Sequence, residues 1–149
     1  MSKTVKVISS LALIGLIFFG GFIAGNMSKA DIVKEIKIGY QDIEKSSNVI
    51  YEKVFTDIEN PTIIDNFIMI YLNAKEIENP NINLEDPDMY IELNNPNASV
   101  GLIHSKVWFV DDGAIIGKRA GESWDRIDFY KTDESDAKYI KEVVDYEAK

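Results

Sequence analysis

The chain contains no cysteine. Disulfides, thiolate metal sites, a cysteine nucleophile and a lipidated N-terminal cysteine are therefore excluded. Histidine is almost as scarce, with His104 alone. A Ser-His-acid triad would have to use it, yet its neighbour Ser105 projects from the other side of a strand. No GxSxG elbow occurs, and no GxGxxG or phosphate-binding loop follows a strand. His104 therefore reads as a surface or partner-contacting residue. Internal repeats and low-complexity segments are also missing. Positive charge is short beyond residue 30: residues 31–149 hold thirteen basic and twenty-five acidic side chains, a net charge of −12. Nucleic acid, whose phosphates are met by Lys and Arg, is excluded as a partner.

What the sequence does have begins with an apolar run over residues 7–25, VISSLALIGLIFFGGFIAG. Its 19 uncharged residues would reach roughly 28 Å as a helix, close to the hydrocarbon thickness of a bilayer. Lys3 and Lys6 precede it. This predicts a signal anchor or transmembrane helix over residues 1–25, a polar linker at 26–31 and an extracytoplasmic domain at 32–149. The positive-inside rule, with a short lysine tail leading the chain, places the domain outside the cytoplasm. Ser28-Lys29-Ala30 offers a small-x-small cleavage site, in which case the domain is secreted. About 120 residues suffice for one domain with a core.

The domain pattern predicts an α+β fold of order β-β-α-β-β-β-β-α. Ile36, Ile38 and Tyr40 alternate with polar residues, and residues 49–55 form a second, weaker strand pattern. Asn60 is placed to cap and Pro61 to open a helix over 61–77, with Ile63, Ile64, Phe67, Ile68, Tyr71 and Leu72 on one stripe. Met89, Ile91 and Leu93 alternate as a strand, NNPNAS turns, and residues 101–110 form the next strand. Asp111-Asp112-Gly113 is a hairpin turn leading into 114–118. The last strand is 123–131, and Thr132 caps a helix with Ala137, Ile140, Val143 and Val144 on its stripe. Short connections make the sheet an antiparallel meander with both helices on one face.

If Met89, Ile91, Leu93, Val107, Phe109, Ile127 and Phe129 face the helices, alternation puts another set opposite. That set is Tyr90, His104, Lys106, Trp108, Trp124, Arg126 and Tyr130. Tyr, Trp and Arg anchor interfaces, so Tyr90, Trp108, Trp124, Arg126 and Tyr130 are the candidate partner-binding residues. The same residues would also serve as ordinary cross-strand pairs, each worth about 0.2–1 kcal/mol. A slip of one residue would exchange the faces. The loop 79–88, with Asn79, Asn81, Asn83, Glu85, Asp86 and Asp88, carries hard oxygen ligands suited to Ca²⁺. It lacks the central Gly and terminal Glu of an EF-hand, so it reads as a solvated loop. No metal and no cofactor are expected. Acidic residues are too abundant to single out a glycosidase-like pair.

The helix stripe before AKEI, PDMYIEL at 87–93, KVWFVDDG at 106–113, Tyr130 and the C-terminal YIKEVV resemble the YhfM-like small envelope domains of Gram-positive bacteria. The resemblance covers about two-thirds of the chain. It implies an exported α+β domain, lipoprotein-like but attached by its helix, since the lipid-bearing cysteine is missing. It implies no activity. The expected function is a membrane-anchored extracytoplasmic interaction or accessory module without catalysis, its partners the membrane through residues 7–25 and another envelope protein. The alternative is a ligand-sensing or inhibitory envelope domain that binds a small molecule, peptide or Ca²⁺. An enzyme using carboxylates alone is a third reading, favoured only by two close carboxylates in a cleft.

Overall fold

Alternating apolar and polar residues commit each strand to two unlike faces, and the pairing observed in the computed structural model follows that alternation. The structure describes residues 14, 15, 17, 18, 33–42, 44, 48–96 and 100–147. The chain divides into two units, Met1–Ile32 and Val33–Lys149. In the first, the four described residues are helical. The rest of the apolar run 7–25, and with it the expected anchor, lies outside the described residues. Among the described residues no helix is long and apolar enough to cross a membrane.

In the second unit β1 (Glu35–Gln41), β2 (Val49–Thr56), α1 (Pro61–Asn73), β3 (Lys75–Ile77), β4 (Met89–Asn95), β5 (Val100–Val110), β6 (Gly113–Arg119), β7 (Ile127–Thr132) and α2 (Glu134–Val144) follow in order. The seven strands form one sheet, β2-β1-β4-β5-β6-β7-β3, with every neighbouring pair antiparallel. The chain leaves β2 at one edge, runs through α1, and reaches β3 at the other edge before returning to β4 in the middle. Both helices pack on one face of the sheet. Their apolar stripes (Ile64, Phe67, Ile70 and Tyr71 of α1; Ala137, Ile140 and Val144 of α2) join Ile36, Ile38, Ile91, Val107 and Ile116 in a single buried core. The α+β class and the helix-covered face agree with the sequence pattern.

Five local expectations need correction. α1 ends at Asn73, not at residue 77: Ala74 N donates back to Ile70 O, and Lys75–Ile77 pairs with β7 as a seventh strand. Leu72, expected in the buried stripe, is 71% exposed. Asn60 stands at the α1 N-cap, but its side chain makes no capping bond; its carbonyl accepts from Ile63 and Ile64. At α2 the cap is Asp133, whose carboxylate accepts from Asp136 N at 2.9 Å. Thr132 is buried instead, its hydroxyl accepting from Ala114 N.

The last correction concerns β7, which begins at Ile127 and not at residue 123, and decides which residues share a surface. Tyr130 stands opposite Ile116 and Phe129 opposite Gly117. Ile116 is a core residue, so Tyr130 lies on the helix-covered face, while Ile127 and Phe129 lie on the other. The expected assignment was the reverse. Gly117 is the physical reason: without a Cβ it leaves a hollow, and a Cβ there would meet Ile127 at 2.8 Å, Trp108 at 3.0 Å and Phe129 at 3.2 Å. The Trp108 and Phe129 rings fill that hollow with centroids 6.2 Å apart.

Candidate functional site

The helix-free face is built on β4, β5 and β6, whose register lines up Tyr90 with Lys106 and Glu92 with His104. It is not bare. The segment 78–88 folds over it: Trp108 Nε1 donates to Asn83 O at 2.8 Å and Lys106 Nζ to Leu84 O at 3.4 Å. Asp88 anchors the end of this segment by accepting from Phe109 N at 2.7 Å and from the Tyr146 hydroxyl at 2.5 Å. Pro87 is fully buried. The acidic loop is thus a cover, with Asp88 and the Asn83 and Leu84 carbonyls already committed to protein donors. Burial, followed by the charges of Glu85 and Asp86, pushes the Tyr90 phenol above its ordinary range.

A second segment, residues 120–126 between β6 and β7, brings Trp124 onto the same face. Its indole meets Tyr90 edge-on, centroids 6.4 Å apart. Lys106 Nζ lies 5.0 Å from the Trp124 centroid and 6.0 Å from that of Tyr90, and the Arg119 guanidinium lies 5.8 Å from Trp124. Two cations therefore share one half-buried indole. Tyr90 and Trp108 are buried, at 8% and 4% exposure, whereas Trp124 keeps part of its surface in solvent.

Beside this cluster, Glu92 accepts from His104 Nδ1 at 2.9 Å and from the Tyr51 hydroxyl of β2. Burial and that bond to Glu92 both raise the Tyr51 phenol. The Ser105 side chain projects from the opposite face, where its hydroxyl donates to Ile91 O at 3.0 Å and bonds the buried Tyr71 hydroxyl. His104 and Ser105 are thus kept on opposite sides of the sheet.

Of the candidate residues, the structure gathers Tyr90, Trp108 and Trp124. Arg126 lies in the loop ahead of β7 and is exposed. Tyr130 is on the far side, with Lys118 Nζ 3.9 Å above its ring; burial there lowers the Lys118 pKa. Sequence reasoning missed Tyr51, Glu92 and Arg119, because β2 carries an irregular alternation and Arg119 reads as part of a turn. The signal was the register alone: Glu92 opposes His104 once β4 and β5 are paired.

Elsewhere, a cleft of about 420 Å³ is lined by Asn73, Lys75, Asp112, Lys131, Asp133 and Asp136 at the β3–β7 edge. Lys131 bridges Asp112 at 2.6 Å, which holds the Asp112 carboxyl below its usual range. Among the described residues no group of three or more His, Asp or Glu side chains is placed to hold a metal ion. Comparison of the chain with protein-family models, with curated proteins and with solved structures returns no match.

Proposed function

We propose that this protein is a non-catalytic interaction module, held at the membrane by its N-terminal apolar run and presenting its sheet domain outside the cytoplasm to another envelope protein. The observation that carries the binding role is Trp124, a half-exposed indole flanked by Lys106 and Arg119 and seated on Tyr90. Large aromatics and Arg are the residue types enriched among interface anchors. Membrane attachment rests on the uncharged 19-residue run behind Lys3 and Lys6. The resemblance to YhfM-like envelope domains supports the same address.

The test is covalent capture. Full-length wild type and Trp124→Ala are cross-linked in intact cells and purified under denaturing conditions. The expected result is a discrete adduct with wild type that is lost with Trp124→Ala, while both proteins melt within several degrees of each other. An adduct that survives the substitution removes Trp124 from the interface and sinks the binding role.

A further inference from the structure

The two edges of the sheet are unlike. β3 is three residues long and carries Lys75 and Glu76, features that blunt an edge against further pairing. β2 runs for eight residues, VIYEKVFT, without proline, and among the described residues no strand pairs with its outer side. Register sorts its side chains. Ile50, Lys53 and Phe55 stand opposite Tyr40, Ile38 and Ile36 on the helix-covered face, whereas Tyr51 and Val54 stand opposite Gly39 and Lys37 on the helix-free one. Ile50, Tyr51 and Val54 are 51%, 37% and 48% exposed. The edge thus shows apolar side chains to solvent on both faces, and a long edge of this kind is a template for a further strand.

The bulge decides which strand fits. The register shift between Ile38 and Gly39 leaves Glu52 as an extra residue. Glu52 shares a groove with Tyr40, Ile50 and Tyr146, so it too points to the helix-covered side. Asn48 O accepts from Asp42 N and Asp57 N donates to Lys34 O, so these positions bond towards β1. Alternation on either side of the bulge then turns the main-chain groups of Val49, Tyr51, Val54 and Thr56 outward. Tyr51 and Val54 are three positions apart, where a regular strand repeats every two. The bulge therefore spoils this edge for an ordinary strand. A second copy running antiparallel carries the same interruption at the same place. About a two-fold axis between Glu52 and Lys53, Tyr51 meets Val54 of the copy on the helix-free face, Ile50 meets Phe55 on the helix-covered face, and Glu52 meets Lys53. Lys53 commits two of its three ammonium protons to Val144 O and the Asp145 carboxylate, which leaves one for Glu52 of the copy. The ladder ends at Thr56, whose carbonyl already accepts from Asn60 N.

We infer that β2 pairs antiparallel with β2 of a second copy of this chain about that axis, joining two seven-stranded sheets into one. The contact uses no residue of the Trp124 cluster, so it stands or falls apart from the interaction role proposed above. Each copy carries −12 over residues 31–149, so added salt strengthens the pairing by screening their repulsion.

A chain without cysteine allows a clean test of register. Full-length Tyr51→Cys and Val54→Cys are mixed in neutral detergent, oxidised and resolved by non-reducing electrophoresis. Opposed residues of an antiparallel pair lie about 5.5 Å apart, within disulfide reach, whereas position 51 of one copy lies about 10 Å from position 51 of the other, beyond it. The same holds for position 54. The expected result is a dimer band from the mixture and none from either variant alone. Sedimentation of the cysteine-free chain in the same detergent follows reversible pairing. Val54→Pro removes an outward N–H and leaves the β1 ladder intact, so it weakens pairing about ten-fold or more while Tm stays within a few degrees of wild type. Val54→Lys keeps the N–H and sets a charge on the edge; it reads the same contact if the melt of the proline variant shows a disturbed strand. Lys138→Gln on the exposed side of α2 leaves pairing unchanged. No band from the mixture, bands as strong from either variant alone, or pairing indifferent to both Val54 substitutions overturns the inference.

Discussion

Replacing Trp108 and Trp124 separately by Ala separates a second core from a docking surface. Trp108 is 4% exposed, packs against Phe129 over Gly117, and donates to Asn83 O at 2.8 Å. Truncation opens a cavity on the helix-free face and leaves Asn83 O with the Asp86 N–H as its remaining donor. A buried Trp→Ala costs about 3–5 kcal/mol. At roughly 4 °C per kcal/mol for a unit of this size, Tm falls by about 12–20 °C. Trp124 is only half-buried, and its contacts are one edge-on ring, worth about 0.5–1.5 kcal/mol, and two cations at about 0.5–1 kcal/mol each where solvent reaches them. Side-chain freedom regained on truncation offsets part of that, leaving about 1–2 kcal/mol and a Tm shift below about 8 °C. Urea melts of the full chain in detergent, followed by near-UV circular dichroism, give both values. Equal losses for the two variants would refute the reasoning, because Trp124 would then belong to the core. A loss near 1 kcal/mol for Trp108→Ala would equally show that the 78–88 cover contributes little.

Residues 33–149 expressed alone should melt cooperatively, since both helices and the sheet close one core within them; a broad, non-cooperative melt counts against this. Protease added to intact protoplasts should digest the domain, and full protection would place it inside. The Asp133 carboxyl is held below its ordinary range, chiefly by its bond from Asp136 N and then by the Ser135 hydroxyl. A folded pKa below the unfolded one means stability that is complete above the unfolded value, about 3.9, and is lost as pH falls through the folded one. Asp133→Asn keeps a cap acceptor without the titration, so its Tm should fall less than that of wild type between about pH 5 and about pH 2.5. Superimposable acid limbs would refute this.

Much of the sheet is legible in the alternation. Ile36 and Ile38, the trio Met89, Ile91 and Leu93, and the Asp112-Gly113 turn specify strands and one hairpin without tertiary help; Gly113 takes a φ of +148°, and a Cβ there would meet Thr132 O at 2.1 Å. The α1 stripe is legible as far as Tyr71. Its end is not, because residues 75–77 are drawn into a strand by the β7 edge beside them, a non-local cause. The faces of β7 escape for a similar reason. Ile127 and Phe129 satisfy an apolar environment on either side of the sheet, and the sequence does not announce that an acidic, proline-bearing loop will supply the second one. The candidate site was legible in its residue types, Tyr90, Trp108 and Trp124. Lys106 was legible with them from the alternation; Arg119 was not, since it meets Trp124 through a loop whose path no pattern of polarity encodes.

Lys53 of the edge strand β2 reaches across to the last turn of α2, where its amine donates to Val144 O at 2.5 Å and to the Asp145 carboxylate at 2.8 Å. The two acceptors lie 91 and 92 positions along the sequence from Lys53. A polypeptide is made from its N-terminus, so the β1–β2 hairpin exists well before the carbonyls that its lysine will hold. α2 contributes Ala137, Ile140 and Val144 to the core that Ile36 and Ile38 share, so that core stays incomplete until α2 arrives. Completion of the core therefore waits for α2, and the β1–β2 hairpin, made earlier, spends that interval as an unfinished surface for any holding factor that binds nascent chains.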